Sequence, residues 1–450
     1  DNEFIENHTT GFESMVDLVK NTSWERIVDD CGIDRDVIEK VGKLCAKSNA
    51  TIACWAMGLT QHRNGVSVIQ EVVNLMLMGG HVGKKGAGLC PVRGHSNVQG
   101  DRTVGIWEAP SEAFLDKMEM GLKISLPRKH GYDVVNSIIA MDNQDVGLLF
   151  CMGGNFLSAT PDTNFTANAI SKVDLVVQVS TKLNRSHIVT GKEAIILPCL
   201  GRTELDIQSS GEQFVTVENS MGIVHKSQGN LKPASSSLRS EPWIVANLAS
   251  STLSNSPIKW LELVNSYDDI RDLMSDCLQG FEDYNDRVRQ PNGFYLPNPP
   301  RDSRTFNTND GKAHFTTHEL PELKIDEGRF VMMTLRSHDQ YNTTIYGLDD
   351  RYRGIKGNRR IVMMNSHDML NRGWKTRQLI DITSHFNGKE RISKHWIVIP
   401  YDIPQGNLAA YFPEANELVP IDSTADLSNT PTSKWIVCSL SEAYSSTEEE

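Results

Sequence analysis

Apolar positions recur every third or fourth residue near the start of the chain. Val37, Ile38, Val41, Leu44 and Cys45 keep a 3.6-residue period, which predicts a helix inside a helical stretch covering 12–49. Asp34 is placed to cap it, and Ile33 to staple onto Ile38. The run from Thr51 to Met57 is almost wholly apolar and predicts a buried strand that stops at Gly58. After a polar stretch from Thr60 to Gly65, the residues Val66, Ile69, Val73, Met76 and Leu77 restore helical spacing, with Ser67 and Gln70 as a capping box. Gly79, Gly80, Gly83, Gly86 and Gly88 then end the helix and open a long loop.

The alternation repeats. A helix from Val134 to Met141 precedes a strand from Val146 to Met152, the loop Gly153-Gly154-Asn155, a strand from Val173 to Val179 and an apolar run from Ala194 to Leu197. Strands alternating with helices predict an α/β fold with doubly wound, mostly parallel sheets. Ligands on such sheets settle in the loops beyond the strand C-termini, here after Met57, Met152 and Val179. Residues 284–305, rich in Pro, Asn, Arg and Asp, predict a linker or extended arm that we carry to 325. Beyond it lie short apolar or β-branched runs: Arg329 to Leu335, Arg360 to Met364, Leu379 to Ile382, His395 to Pro400 and Lys434 to Ser439. One short helix, from Ser366 to Asn371, interrupts them. That pattern predicts a small β-barrel, followed by a solvated tail from Ser445 to Glu450.

A chain of 450 residues is too long for one core and should divide into two or three domains. Its formal net charge of −12 argues against a non-specific nucleic-acid binder. The apolar stretch from Val66 to Met78 is broken by Gln70, Glu71 and Asn74, so no membrane span is expected. The eight cysteines are scattered with no C-x-x-C pair, which excludes the usual zinc and iron–sulfur ligand runs within these residues. Cys54 and Cys151 stand in apolar contexts that read as buried, reduced thiols, and the expected location is cytoplasmic. The chain opens on Asp1-Asn2-Glu3 rather than Met, which reads as an internal start.

Polar side chains cluster at two places. Gly58, Thr60, Gln61 and His62 form one group; Arg93, His95, Ser96, Asn97 and Gln99 form the other. Together they offer donors for phosphate or a heteroaromatic ring, or they only pin a long loop. Neither a G-x-x-x-x-G-K-[ST] string nor a strand followed by G-x-G-x-x-G occurs. Gly153, Gly154 and Asn155 lie at a strand–loop–helix junction suited to an anion. Thr181, Lys182, Asn184 and Arg185 follow the next strand, placed to recognise nucleotide and phosphate. The bland alternative for Lys182 and Arg185 is a solvated charge.

The run WAMGLTQHRNGVSVIQEVVNLMLMGGHVGKKGAGLCPVRGHSNVQGDRTVGIWE (55–108) is similar throughout to molybdopterin oxidoreductases of the dimethyl sulfoxide reductase superfamily. It resembles their formate dehydrogenase-like branch, and within that the oxidoreductases associated with acid resistance. The resemblance continues through CMGGNFLSATPD, TKLNRSHIVTGKEAIILPCLGRTELD, VENSMGIVHKSQG, TLRSHDQYNTTIYGLDDRYRGIKGNRRIVMMN and AAYFPEANELVPID. It implies three regions: 1–95 closing one α/β cofactor-binding domain, 96–320 forming most of a second, and 325–450 forming a C-terminal double-psi β-barrel that binds a pterin dinucleotide.

It also implies a molybdenum or tungsten ion held by two molybdopterin guanine dinucleotides (bis-MGD). Gly58, Thr60, Gln61, His62, Asn97 and Gln99 would belong to the cradle. Gly153, Gly154 and Asn155 would approach one diphosphate or guanosine end. Thr334, Arg336, Ser337, His338, Gln340, Asn342 and Thr343 match the strip that lies along the pterins, and Asn416 and Lys434 match later cofactor contacts. Arg93 matches the arginine that faces the substrate in formate dehydrogenases, a task suited to a planar, bidentate guanidinium. His95 stands where those enzymes often carry Gln. It would hydrogen-bond substrate or exchange a proton, or serve as a satisfied structural histidine.

The metal-ligating side chain and a 4Fe-4S cluster site are expected upstream, so no metal ligand is assigned here. The implied activity is two-electron redox of a small anionic substrate, with formate oxidation to carbon dioxide favoured. Reduction of an oxyanion such as nitrate and a metal-free electron-transfer or assembly subunit are the alternatives. The electron partner is unidentified. Because the first segment reads as a partial domain, these 450 residues expressed alone are expected to be poorly stable. Calorimetry should give a broad, low-temperature melt; a sharp, cooperative high-temperature transition would contradict the partition.

Overall fold

The computed structural model describes residues 1–95, 97–322, 324–341 and 344–443. Ser96, Asn342, Thr343 and the tail from Ser445 lie outside the described residues.

The helices expected over 12–49 form at Phe12–Asn21, Trp24–Cys31 and Arg35–Lys47. Asp34 occupies the N-cap of the last of these but makes no side-chain cap bond. Ile33, Val37, Val41 and Leu44 are 46–63% exposed, so the periodic apolar stripe is real while its burial is not. The strand Ile52–Trp55 pairs in parallel with Gly88–Pro91, which lies within the stretch expected to be a glycine-rich loop. The expectation of a buried strand fails: Ile52 is 54% exposed and Cys54 is exposed too. Two strands alone cannot cover both faces of a parallel ribbon. After a one-turn helix, Met57–Thr60, a longer one runs Gly65–Met78, and its start departs from a capping box, since Ser67 Oγ donates to the Asn64 carbonyl.

The second parallel sheet has the order Leu148–Met152, Leu175–Ser180, Glu193–Pro198. Helices Val134–Asp142 and Thr163–Ser171 bury Val135, Ile138, Met141, Ala169 and Ile170 against one face. Ile244 and Trp243, from helix Glu241–Thr252, pack on Val179 and Cys199 at the other. Covering both faces explains why the central strand is almost continuously apolar. The expected arm at 284–325 is partly built into the fold. Phe294–Tyr295 adds a third strand to an antiparallel sheet with Val215–Glu218 and Ile223–Ser227. Ala313–His314 pairs with Thr9–Thr10, and Phe315 joins Phe4, Met15 and Leu77 in one core.

The C-terminal region is a closed six-stranded barrel in the order Phe330–Leu335, Asn407–Tyr411, Ile361–Met364, Lys389–Pro400, Leu379–Phe386, Ile436–Glu442. The first pair and the Ile361–Met364/Lys389–Pro400 pair are parallel; the others are antiparallel. Closure removes every edge. Its interior packs Met332, Val362, Met364, Ile380, Ile382, Trp396 and Val398, all fully buried. Trp396 spends its indole N–H on Ser393 Oγ at 2.6 Å. The Cys438 thiol is pushed up to about 12 by burial, an inert core thiol.

The barrel docks on the second sheet region through polar groups. Asn416 Nδ2 donates to the Ser158 carbonyl at 2.7 Å, and the Asp162 N–H donates to the Asn416 carbonyl at 2.9 Å. Arg391 pairs with Asp162 at 2.7 Å with both side chains largely withdrawn from water. Ile421 inserts into the apolar cluster of the helices. Arg391→Met would strand the Asp162 carboxylate in that interface and cost about 3–5 kcal/mol. The expected result is a lower urea midpoint read on Trp374 and Trp396; an unchanged midpoint would show that the pair contributes nothing to docking.

Candidate cofactor and substrate site

The strand Leu148–Met152 ends in a turn that only glycine adopts without strain. Gly153 and Gly154 have φ of 69° and 76°, with no neighbouring atom within 4 Å of where a Cβ would stand. The turn is clamped from the next loop. Asn184 Nδ2 donates to the Gly154 carbonyl and Ser186 Oγ to Asn155 Oδ1, both at 2.7 Å. Ser186 Oγ in turn accepts the Leu157 N–H. The helix that follows, Phe156–Ala159, is one turn long, so its dipole adds little, and any anion here would rely on the turn's own N–H groups. Thr181, Lys182 and Arg185 stand exposed beside it. Neither of those two cations has a carboxylate within 4 Å among the described residues.

His95, Asn97, Gly153 and Thr181 line one cavity of about 1140 Å³, which runs inward to Phe214 and Trp260. Four predicted residues from three separate loops thus share one space. Asn97 and Gln99 face a different task from the one expected. Asn97 Oδ1 accepts the Glu218 N–H at 2.9 Å, and Gln99 Nε2 donates to the Glu218 carbonyl. Thr103 holds the Glu218 carboxylate at 2.7 Å. Burial raises the Glu218 carboxyl above its ordinary range against the lowering pull of Thr103 and the Arg93 charge. These residues anchor the Arg93 loop, whose backbone N–H reaches Ser220 Oγ at 3.3 Å, and the Arg93 and His95 side chains stay exposed.

The barrel meets the first segment at a second cluster. The Lys434 backbone N–H donates to the Gln61 carbonyl at 3.1 Å. Its ammonium donates to the Thr334 carbonyl and lies 3.4 Å from Thr334 Oγ1. Arg336 reaches Met57 Sδ at 3.6 Å and approaches Gly94, while its guanidinium lies 5.0 Å from the Phe412 ring centre. His62 hydrogen-bonds the Gly58 carbonyl at 2.8 Å and packs near Trp435. Burial, then the Arg336 charge, lowers Lys434 to about 8. Burial lowers Arg336 as well. Among the described residues no carboxylate lies within 4 Å of the Lys434 ammonium.

Other members of the predicted strip are spent internally. Ser337 and Gln340 bind each other and the guanidinium of Arg359, which is salt-bridged to Glu414 at 2.8 Å. His338 stacks edge-on against Tyr352 at 4.2 Å. Asn416 is the docking residue already described, and its Oδ1 is buried without a partner, as is Gln99 Oε1. Glu218, Ser186 and Arg359 went unnoticed in the sequence because their partners are remote. Asn97 and Glu218, for example, lie 121 residues apart.

Two half-buried cations, the Arg336 charge lowering Lys434 further, and an open glycine turn lining a large cavity fit a bulky, multiply anionic ligand. By donor chemistry a pterin dinucleotide diphosphate suits this set.

Residues 330–437 match the Molydopterin dinucleotide binding domain family. An uncharacterized oxidoreductase of Mycobacterium tuberculosis is 48% identical over 446 residues, 98% of this chain and 57% of that protein. Protein YdeP of Escherichia coli is 42% identical over 448 residues, 98% of this chain and 59% of that protein. The chain therefore spans under two thirds of these relatives. An F420-dependent formate dehydrogenase subunit alpha of Methanocaldococcus jannaschii is 27% identical over 253 residues, 54% of this chain and 35% of that protein. In fold, the chain is similar to acetylene hydratase from Pelobacter acetylenicus, with a TM-score of 0.65 at 15% identity, covering 98% of this chain and 68% of that one. No helix among the described residues is long and apolar enough to cross a membrane.

Lys434 gives a pH prediction for the cofactor-free protein. Its folded pKa of about 8 lies below the ordinary 10.5, so between those values the unfolded chain holds a proton that the folded chain has released. Stability from this group therefore rises with pH across that window, and the full penalty applies below it. Thermal melts across the window should show that rise in wild type and lose it in Lys434→Met. Parallel curves for the two proteins would refute the assignment.

Proposed function

This chain carries a molydopterin dinucleotide binding domain of the dimethyl sulfoxide reductase superfamily, and from that premise we propose that it is the cofactor-gripping part of a molybdenum or tungsten bis-MGD oxidoreductase acting on a small anion. The observation that carries this reading is the Lys434 ammonium, lowered by burial and by Arg336 where the barrel meets the Gln61 loop. A charge held so is costly until an anion joins it.

On the barrel side, Lys434 and Arg336 would neutralise phosphate or pterin oxygens, with Thr334 fixing the lysine. From the first segment, Gly58, Thr60, Gln61 and His62 would close over the same ligand. On the sheet side, the Gly153-Gly154-Asn155 turn would give backbone N–H groups, with Asn184 and Ser186 holding it in shape. Thr181, Lys182 and Arg185 would face the nucleotide end. When bound, the metal–pterin group supplies the two-electron chemistry. Arg93 would orient the substrate's oxygens through its planar fork, its loop held by Asn97, Gln99 and Ser220. His95 would hydrogen-bond the substrate or hold the proton that leaves with it. Formate oxidation is the reaction we favour, supported by the distant likeness to formate dehydrogenase subunits. Electrons would pass onward through a 4Fe-4S cluster in another part of the protein.

The test uses the whole protein produced with molybdate or tungstate. It should contain one of the two metals and release GMP on acid hydrolysis, and Lys434→Met should lower both. Arg93→Ala should keep the metal yet cut formate-dependent dye reduction about 10²–10³-fold in kcat/KM, the loss typical of removing one positioned charge-stabilising donor. A protein without metal or GMP would be the scaffold reading instead. Turnover with nitrate but not formate would keep the cofactor assignment and overturn the reaction.

A further inference from the structure

The strands Ile52–Trp55 and Gly88–Pro91 run parallel with Cys54 directly opposite Cys90. Partners in register on neighbouring strands project from the same face. Neighbouring strands stand about 4.8 Å apart, inside the roughly 4.4–6.8 Å between Cα atoms that a disulfide spans. Both cysteines are free thiols, Cys54 exposed and Cys90 partly so. The register sets the two side chains next to each other, and burial, then the neighbouring Cys54 thiol, holds the Cys90 thiol above its ordinary value. The remaining cysteines show no such pairing in the strand registers.

The position matters as much as the pairing. Cys54 lies three residues before Met57 and Cys90 three before Arg93. The Val92 N–H also bonds the Trp55 carbonyl at 2.7 Å. The two strands therefore lead side by side into the Gly58–His62 and Arg93–His95 loops, and Arg336 reaches Met57 in the first and lies near Gly94 in the second.

We propose that Cys54 and Cys90 form a thiol–disulfide modification site whose substrate is a small-molecule disulfide. The more exposed Cys54 thiolate attacks one sulfur of that disulfide; its S–S bond breaks and one small thiolate leaves. The Cys90 thiolate then attacks Cys54 in the mixed disulfide, forming the Cys54–Cys90 bond and expelling the second small thiolate. Two protein thiols are oxidised, one small disulfide is reduced to two thiols, and the two cysteine protons pass to those leaving groups through solvent. The bond ties together the roots of both loops, and a reducing thiol pool reverses it. This inference is independent of the function proposed above, since it concerns the two strands whatever the loops bind.

The experiment treats the whole protein with glutathione disulfide and maps its cysteines by mass spectrometry. A cross-linked pair of peptides carrying Cys54 and Cys90 is expected. Cys31, exposed and not paired in any strand register, should take only a mixed disulfide with glutathione. Cys90→Ser should leave Cys54 trapped as a mixed disulfide, and phenylarsine oxide should block both thiols of the unaltered protein at one equivalent. In the cross-linked protein, trypsin cleavage after Arg63 and Arg93 should slow several-fold. Separate capping of both cysteines without a cross-link, or two thiols inert to both reagents, would overturn the site. Unchanged cleavage rates in the cross-linked protein would overturn its reach into the loops.

Discussion

An ammonium withdrawn from water beside a guanidinium raises the free energy of a fold unless a negative charge sits with them. Lys434 is held in that position by a carbonyl, a hydroxyl and a backbone bond to the Gln61 loop, none of which neutralises it. The rest of the molecule supplies the rigidity that keeps the strain in place. A closed barrel with a close-packed, mostly apolar interior cannot slide Thr334 away. The Asn416 and Arg391 contacts fix that barrel against the sheet that carries the glycine turn. Preorganisation of this kind would trade stability of the protein for affinity toward an anion, because little would be left to order on binding.

The parallel sheets and the barrel were legible in the sequence wherever an element buried one regular stripe. The strand Leu175–Ser180 reads as a mostly apolar run, broken by Gln178, because it is covered on both faces. The readings failed where burial depends on something other than the element itself. The stripe on Arg35–Lys47 has the period of a packed helix yet faces outward, since periodicity reports amphipathicity and not the partner. Gly88–Pro91 was lost among glycines, and Asn407–Tyr411 was missed because alanines carry a weak strand signal. The Asn387-Gly388 turn between Leu379–Phe386 and Lys389–Pro400, with φ of 51° and 72°, was a hairpin signal that the sequence did contain.

For the site, residue type marked the places well and the tasks less well. Gly153, Thr181, His95 and Asn97 converge on one cavity, and Arg336 and Lys434 form one electrostatic cluster. Asn97, Gln99, Ser337 and Gln340, however, spend their hydrogen bonds on protein groups. A short string shows that a side chain can donate, but not whether a carbonyl more than a hundred residues away has already taken the bond. The donors still open to a ligand are the ones no sequence rule distinguishes from solvated charges, Lys182 and Arg185 among them.

The three loop groups come from distant parts of the chain, so an anion bridging them does more than fill a pocket. Ligand contacts from the Gln61 loop, the Gly153 turn and the barrel would join regions that otherwise meet through a handful of polar bonds. Binding free energy would then enter directly as coupling between those regions, added to the Asn416, Arg391 and Ile421 contacts and the Asn429–Asp133 and Lys434–Gln61 bonds that hold the barrel in register. The docking contacts are accordingly short and well formed, while the Lys434 ammonium has no carboxylate within 4 Å among the described residues. The interface must stand by itself, whereas the buried Lys434 charge would be worth its cost only beside an anion.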